Sequence, residues 1–332
     1  MSRGRGIVLI SGGLDSLLAA RVLMDQDLDL IGFYGALPFV APDADPSTLK
    51  PVLLASQIHL TVQVHRCGKE YIDILRNPSH GYGKHMNPCI DCHIYFIKKA
   101  AELMREMRAD FVATGEVVGQ RPMSQMRHTM NHIEKETGLK GRLLRPLSAQ
   151  LLKPTIPEEE GIVDRELLLG INGRSRKEQF ELARKYDIRE YESPSGGCLF
   201  TDRFISKRVR DLFEHAGDVG QIDLFLLTIG RHYRISDNAK VIVARNELEN
   251  FELEKYQSLS DYFFIPEFKG PSVYVRGPLS DADMALIGSI LLRHGKAGED
   301  VPAIAVYQHG EMIKTMEAGT ALTDEQLERL RI

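Results

Sequence analysis

Apolar residues follow two alternating rhythms along the first third of the chain. Residues 6–10 (GIVLI) are a short, β-branched apolar run, the pattern of a buried parallel strand. Apolar positions then recur at Leu14, Leu17, Leu18, Val22 and Leu23, which is helical spacing over 14–25. "LDLIGFYG" (28–35) reads as a second strand. "DADPSTLKPVLLASQ" opens with loop chemistry and continues as a helix, and "LTVQVHRC" (60–67) reads as a third strand. Residues 88–107 read as a helix and "ADFVATG" (109–115) as a fourth strand. Strands alternating with helices predict an α/β fold with a doubly wound parallel sheet, whose ligands bind beyond the carboxyl ends of the strands. Residues 117–145 read as polar loop, 143–188 as helices broken by Pro and Gly, and 203–210 as a basic helix. From about residue 220 short strands dominate, predicting a smaller α+β C-terminal domain. The expected domains are 1–145, a helical adaptor at 146–218, and 219–332.

Composition narrows the class only a little. The 332 residues are 43% hydrophobic and 27% charged, with 42 basic and 46 acidic side chains and a net charge of −4. From residue 221 onward there are 12 basic against 17 acidic residues, and before it 30 against 29, so a polyanion would sit on the first two-thirds. No apolar run approaches the roughly 20 residues that span a bilayer. The apolar stretch after the basic N-terminus is too short for a signal peptide, and a cytoplasmic protein without a membrane partner is expected. Four cysteines, Cys67, Cys89, Cys92 and Cys198, are better read as ligands or reactive thiols than as a disulfide set.

The turn after the first strand is "SGGLDS": Ser11, Gly12, Gly13, Leu14, Asp15 and Ser16. A strand, a glycine turn and a helix N-terminus together make an anion site. The turn lacks the G-x-x-x-x-G-K-[ST] of a Walker A loop and the G-x-G-x-x-G of a dinucleotide fold. A plain helix-capping turn is the structural alternative. The S-G-G-x-D-S sequence resembles the PP-loop ATP pyrophosphatases, whose fold is like that of the adenine nucleotide alpha hydrolases. That resemblance implies that Ser11 to Ser16 bind ATP pyrophosphate, that Asp15 helps position Mg²⁺, and that ATP is split between its α and β phosphates to adenylate a substrate.

The cysteines bear on which substrate. "HMNPCIDCHIYFIKKA" puts Cys89 and Cys92 in C-x-x-C spacing at a helix start, where the helix dipole favours thiolate. Cys198 follows Gly196 and Gly197 in "SPSGGCLFTD", glycines that permit close backbone approach. Together with "FVATGEVVGQRP", this resembles the tRNA thiolases of the PP-loop group, the 2-thiouridylases and 4-thiouridine synthetases, over about residues 6–210. The resemblance implies Asp15, Cys89 and Cys198 as catalytic residues, and Thr114 and Gly115 beside the nucleotide. It also implies Cys89, Cys92 and Cys198 as ligands of a [4Fe-4S] cluster. A persulfide on Cys198 resolved by Cys89 is one alternative; a zinc site from Cys89 and Cys92 with His85, His93 or Cys198 is another. Cys67 reads as a core thiol. Lys84, Arg121 and Arg145 are candidates for stabilising phosphoryl charge.

Arg174, Arg176, Lys177, Arg184 and Lys185, with Arg203, Lys207, Arg208 and Arg210, form a candidate basic rim for tRNA phosphates. The tail, with Arg245, Asn246, Glu249 and Asn250 in "RNELEN" and a later "KGPSVYVRG", resembles the RNA-binding domain of NFACT proteins. The function implied is ATP-dependent thiolation of a tRNA uridine to 2-thiouridine or 4-thiouridine, releasing AMP and pyrophosphate. Its partners would be tRNA and a sulfur donor, either a cysteine desulfurase relay or free sulfide; a homodimer is left open. Two other classes compete: a PP-loop amidating synthetase, and a zinc-stabilised RNA-binding protein without catalysis.

Overall fold

β1 (Arg5–Leu9) lies at the centre of the first sheet, with Ile7 in register with Ile31 on one side and Val112 on the other. The structure, a computed structural model, describes residues 3–193, 198–298 and 302–332. It divides into two compact units, Met1–Asp202 and Arg203–Ile332. In the first unit the chain runs β1, α1 (Leu14–Met24), β2 (Asp29–Ala36), α2 (Lys50–Ser56), β3 (Val62–Arg66), α3 (Lys69–Arg76), α4 (Cys89–Glu106) and β4 (Phe111–Ala113). It continues with α5 (Arg127–Glu136), β5 (Leu143–Leu144), α6 (Ile156–Glu159) and α7 (Lys177–Lys185). The five strands are parallel, in the order β3-β2-β1-β4-β5.

Strand alternation sends successive side chains to opposite faces, and each face has its own cover. Val8 packs with Leu14, Leu17 and Leu18 of α1, while Ile7 and Val112 pack with Ile97, Ala100 and Ala101 of α4 and Ile133 of α5. Burial on both faces is why β1 reads as an unbroken apolar run.

Residues 117–145 depart from the expected loop: they hold α5 and β5. Thr129, Met130 and Ile133 are the buried residues of α5, too few apolar positions to give a periodic signal. α3 likewise buries only Tyr71, Ile72 and Leu75.

The second unit holds α8 (Arg203–His215), α9 (Gln221–Leu226), β6 (Arg231–Arg234), β7 (Lys240–Val243), α10 (Glu247–Glu254), β8 (Tyr262–Pro266) and β9 (Val273–Arg276). α11 (Asp281–His294), β10 (Ala303–Gln308), β11 (Glu311–Glu317) and α12 (Asp324–Leu330) complete it. Its sheet is antiparallel, ordered β11-β10-β8-β9-β7-β6, and its core joins Val241, Phe264, Val273 and Val306 to Ile287, Ile290 and Leu291 of α11. The "RNELEN" stretch has a structural role here. Asn246 caps α10 by accepting from the Glu249 N–H at 3.0 Å. Asn250 Oδ1 accepts from Ser272 N–H at 2.8 Å, which ties the stretch to "KGPSVYVRG". Arg208 donates to the carbonyls of Leu227 (2.6 Å) and Gly230 (3.2 Å), so this member of the expected basic rim is held by the backbone of its own unit. No helix among the described residues is long and apolar enough to cross a membrane.

Candidate active site

The glycine turn joins β1 to α1. Gly12 turns with φ +78°, a region where a Cβ is strained. Ser16 Oγ donates to Gly13 O at 2.7 Å and Gly13 N–H donates to Ser11 Oγ at 3.3 Å, so the two hydroxyls knit the turn. The first N–H groups of α1 have no partner inside the helix, leaving donors for an anion. Gly115, at the end of β4, touches the same turn. A Cβ there would lie 2.6 Å from Asp15 C, Asp15 O and Ser16 N.

Asp15 is held on one side only. Its Oδ2 accepts from Gln120 Nε2 at 2.6 Å and lies 3.6 Å from Arg176 Nη2, and Gln120 is itself bonded by Gln179 at 2.8 Å. Its Oδ1 is buried and has no hydrogen-bond partner among the described residues. A buried, partnerless carboxylate oxygen is costly, and one beside a phosphate-type turn fits a hard cation such as Mg²⁺.

The thiols gather in the same unit. Cys89 is the first residue of α4, and Cys92 N–H donates to Pro88 O across that first turn. Cys198 is carried in by its successors. Phe200 O accepts from Met86 N–H at 3.3 Å, and the Phe200 ring packs 4.8 Å from Phe39. Upstream, Glu192 N–H donates to Gly12 O at 2.9 Å and pairs with Gly13 in a parallel bridge. One segment therefore anchors on the glycine turn and again on the loop before Cys89. Gly196 and Gly197 lie outside the described residues.

The thiols differ in electrostatics. Burial alone would raise Cys89; His93 beside it, then the Ser124 hydroxyl and the charge of Arg121, outweigh burial and hold it below the usual thiol value. Burial pushes Cys198 up to about 11. Burial also drives Cys92 well up, against the Tyr71 hydroxyl that donates to its Sγ at 3.2 Å. Cys92 feels the charge of both Cys198 and Cys89, and Cys198 that of Cys89. Cys67 is 1% exposed, and burial raises it well above the usual range, as a core thiol.

Behind Cys89 runs a buried relay. His93 Nδ1–H donates to Glu116 Oε1 at 3.0 Å. Glu116 Oε2 accepts from Thr114 Oγ1 at 3.0 Å and Arg145 Nε at 3.1 Å, and Arg145 continues to Glu134 at 3.0 Å. Burial works against both charges here. The Arg145 guanidinium and His93 nevertheless keep Glu116 well below the usual carboxylate range, while Cys89 and Glu116 lift His93 well above the usual imidazole value. Arg145 is 3% exposed and committed to two carboxylates, so it is a buried support and not a surface charge facing phosphate. Arg121 instead lies within electrostatic reach of both Cys89 and Cys198.

Sequence reasoning missed Glu116, Gln120 and Tyr71, and weighed His93 only as a zinc ligand. Glu116 left one clue, an acid placed directly after the apolar run "FVATG". The Thr114 hydroxyl is spent on Glu116, while Gly115 borders the turn. Among the described residues no three His, Cys, Asp or Glu side chains are arranged as a metal-holding group. The donor chemistry of three neighbouring thiols nonetheless suits a soft iron–sulfur centre.

Residues 1–153 match the family model described as thiamine biosynthesis protein (ThiI), and residues 230–331 that of the NFACT protein RNA binding domain. No curated protein matches the chain. Among solved structures, a 4-thiouridine synthetase–RNA complex with bound ATP is similar at TM-score 0.35 and 15% identity, over 56% of this chain. The chain thus spans about half, 52%, of that synthetase. The U34-tRNA thiolase NcsA from Methanococcus maripaludis, with its [4Fe-4S] cluster, is similar at TM-score 0.32 and 18% identity, over 68% of this chain and 70% of that one. A predicted subunit of tRNA methyltransferase from Methanocaldococcus jannaschii is similar at TM-score 0.32 and 16% identity, over 43% and 68%.

Proposed function

With a ThiI-type domain at its N-terminus and an NFACT RNA-binding domain at its C-terminus, we propose that the chain is an ATP-dependent tRNA uridine thiolase. It makes 2-thiouridine or 4-thiouridine. The observation that carries the reading is the double anchorage of one segment: Glu192 on Gly12 and Gly13, Phe200 on Met86, with Cys198 between them. Adenylating chemistry and sulfur chemistry have reason to share a segment when both act on one substrate carbonyl group.

A uracil carbonyl oxygen is a poor leaving group. In the first step it attacks the α-phosphorus of ATP, the bond to the β-phosphate breaks, and pyrophosphate leaves. Ser11 to Ser16 receive the pyrophosphate at the helix N-terminus, and Asp15 Oδ1 is the oxygen left free for Mg²⁺. In the second step a sulfur nucleophile adds to the activated carbon, the carbon–oxygen bond breaks, and AMP leaves with the former carbonyl oxygen. Cys89, Cys92 and Cys198 would hold a [4Fe-4S] cluster through three thiolates, leaving one iron open to carry sulfide. His93, oriented by Glu116, lowers the Cys89 thiol toward its thiolate, the form that serves as ligand or nucleophile. Arg121 places positive charge where the departing phosphate develops its own. The C-terminal domain, and Arg184 and Lys185 of α7, supply contacts to tRNA.

The test is pyrophosphate release from ATP by the full chain, with and without tRNA, paired with nucleoside mass spectrometry of the tRNA. Release stimulated by tRNA, and 2-thiouridine or 4-thiouridine formed with a sulfide source, is the expected result. Release that ignores tRNA and responds to ammonia would instead identify an amidating synthetase.

A further inference from the structure

A second polar cluster stands apart from the glycine turn and the thiols. His80, in the loop between α3 and α4, faces His132 of α5, with their Nε2 atoms 2.8 Å apart and ring centroids 4.9 Å apart. Asp91, one residue before Cys92 and 7% exposed, is given over to His80. Its Oδ2 accepts from the His80 backbone N–H at 3.0 Å and its Oδ1 from His80 Nδ1–H at 2.9 Å.

That second bond fixes the His80 tautomer. With the proton on Nδ1, the Nε2 lone pair points at His132. Two ring nitrogens at this distance must share a proton or a cation, because two bare lone pairs repel. A shared proton would satisfy the pair, but it would not need a buried carboxylate given over to one histidine, holding both its ring and its backbone N–H. A carboxylate on the far nitrogen of an imidazole is the support that metal-binding histidines use. α5 adds a third imidazole: His128 precedes His132 by four residues, the spacing that sets two histidines on one helix face. Both are exposed.

We propose that His80 and His132 bind a divalent transition-metal ion of the zinc class, with Asp91 orienting His80 and water completing the shell. Imidazole ligands suit zinc, copper and nickel over calcium or magnesium. The ion ties the loop before α4 to α5. It thereby braces the wall that carries Cys89, whatever the reaction at that thiol.

The experiment is Zn²⁺ titration of the full chain against a chromophoric chelator, comparing wild type with His80→Ala, His132→Ala, Asp91→Asn and Cys89→Ser. Expected is one Zn²⁺ equivalent that is lost in both histidine variants, weakened about tenfold or more by Asp91→Asn, and kept in Cys89→Ser. His132 is exposed on its helix, so its variant keeps the fold. As a second readout, Zn²⁺ raises the melting temperature of wild type but not of His132→Ala. Affinity unchanged in His80→Ala and His132→Ala, or lost only in Cys89→Ser, overturns the assignment.

Discussion

Metal-free protein treated briefly with iodoacetamide at pH 7 should be alkylated at Cys89 well before Cys198. Both residues are partly exposed. Cys89 is held below the ordinary thiol value of 9.0, at which roughly 1% of a thiol is thiolate at pH 7, so that fraction is a floor. With Cys198 at about 11, roughly one molecule in 10⁴ carries its thiolate at pH 7. The thiolate fractions therefore differ by at least ~100-fold. The more basic thiolate is the better nucleophile, and a Brønsted slope of about 0.4–0.5 returns roughly a factor of 8. A rate ratio of at least ~10-fold survives. Peptide mapping by mass spectrometry after timed quenching measures both rates in one sample. Raising the pH to 9 should speed Cys198 more than Cys89, because Cys198 gains thiolate in proportion to hydroxide while Cys89, lowered, comes nearer to saturation. Equal rates at pH 7 would refute the account of His93, Ser124 and Arg121 as the groups that lower Cys89.

Glu116→Gln should slow Cys89 alkylation at pH 7 and destabilise the fold by about 3–5 kcal/mol, since it leaves Arg145 buried beside one remaining carboxylate; urea denaturation checks the second part. Glu116 is depressed, so its contribution is present above ~4.5 and lost as pH falls. His93 is raised, so its contribution is complete below ~6.5 and declines as pH rises toward its folded value. The stability gap between wild type and variant should therefore be widest from about pH 4.5 to 6.5. Asp15→Asn should abolish pyrophosphate release while leaving the urea midpoint in place, because the Gln120 contact can persist; retained release would remove Asp15 from the nucleotide site. Gly115→Ala should cost about 1–3 kcal/mol and weaken ATP binding, since its methyl meets backbone of Asp15 and Ser16 that cannot swing away; an unchanged nucleotide affinity would contradict that. Cys198→Ser should end thiolation and spare tRNA-independent ATP binding, read by nucleoside analysis and nucleotide titration.

The parallel sheet was legible because its strands are buried on both faces and its first turn spells its chemistry in six adjacent residues. The thiols at 89, 92 and 198 were legible as types, and the structure supplies what brings the third to the others: Phe200 against Phe39 and Met86. α5 was not legible, since a helix that buries three residues offers no periodic stripe. The His93–Glu116–Arg145 relay was hidden for another reason. Each residue looks like an ordinary surface charge in its own neighbourhood, and only the packing of α4 against β4 and β5 brings them together. Arg176 shows the same limit, reading as part of a basic run yet lying near Asp15.

The bridge between Glu192 and Gly13 also sets a tether. Six peptide steps separate Glu192 from Cys198, and a fully extended chain spans at most about 3.5 Å per residue, or about 21 Å in all. Chain length alone therefore keeps Cys198 inside a sphere of that radius around the glycine turn. One thiol in such a volume is an effective concentration of roughly 40 mM. Under the proposed function, sulfur handled at Cys198 would be kept near a substrate activated at the turn by chain length alone, with no binding step needed to deliver it.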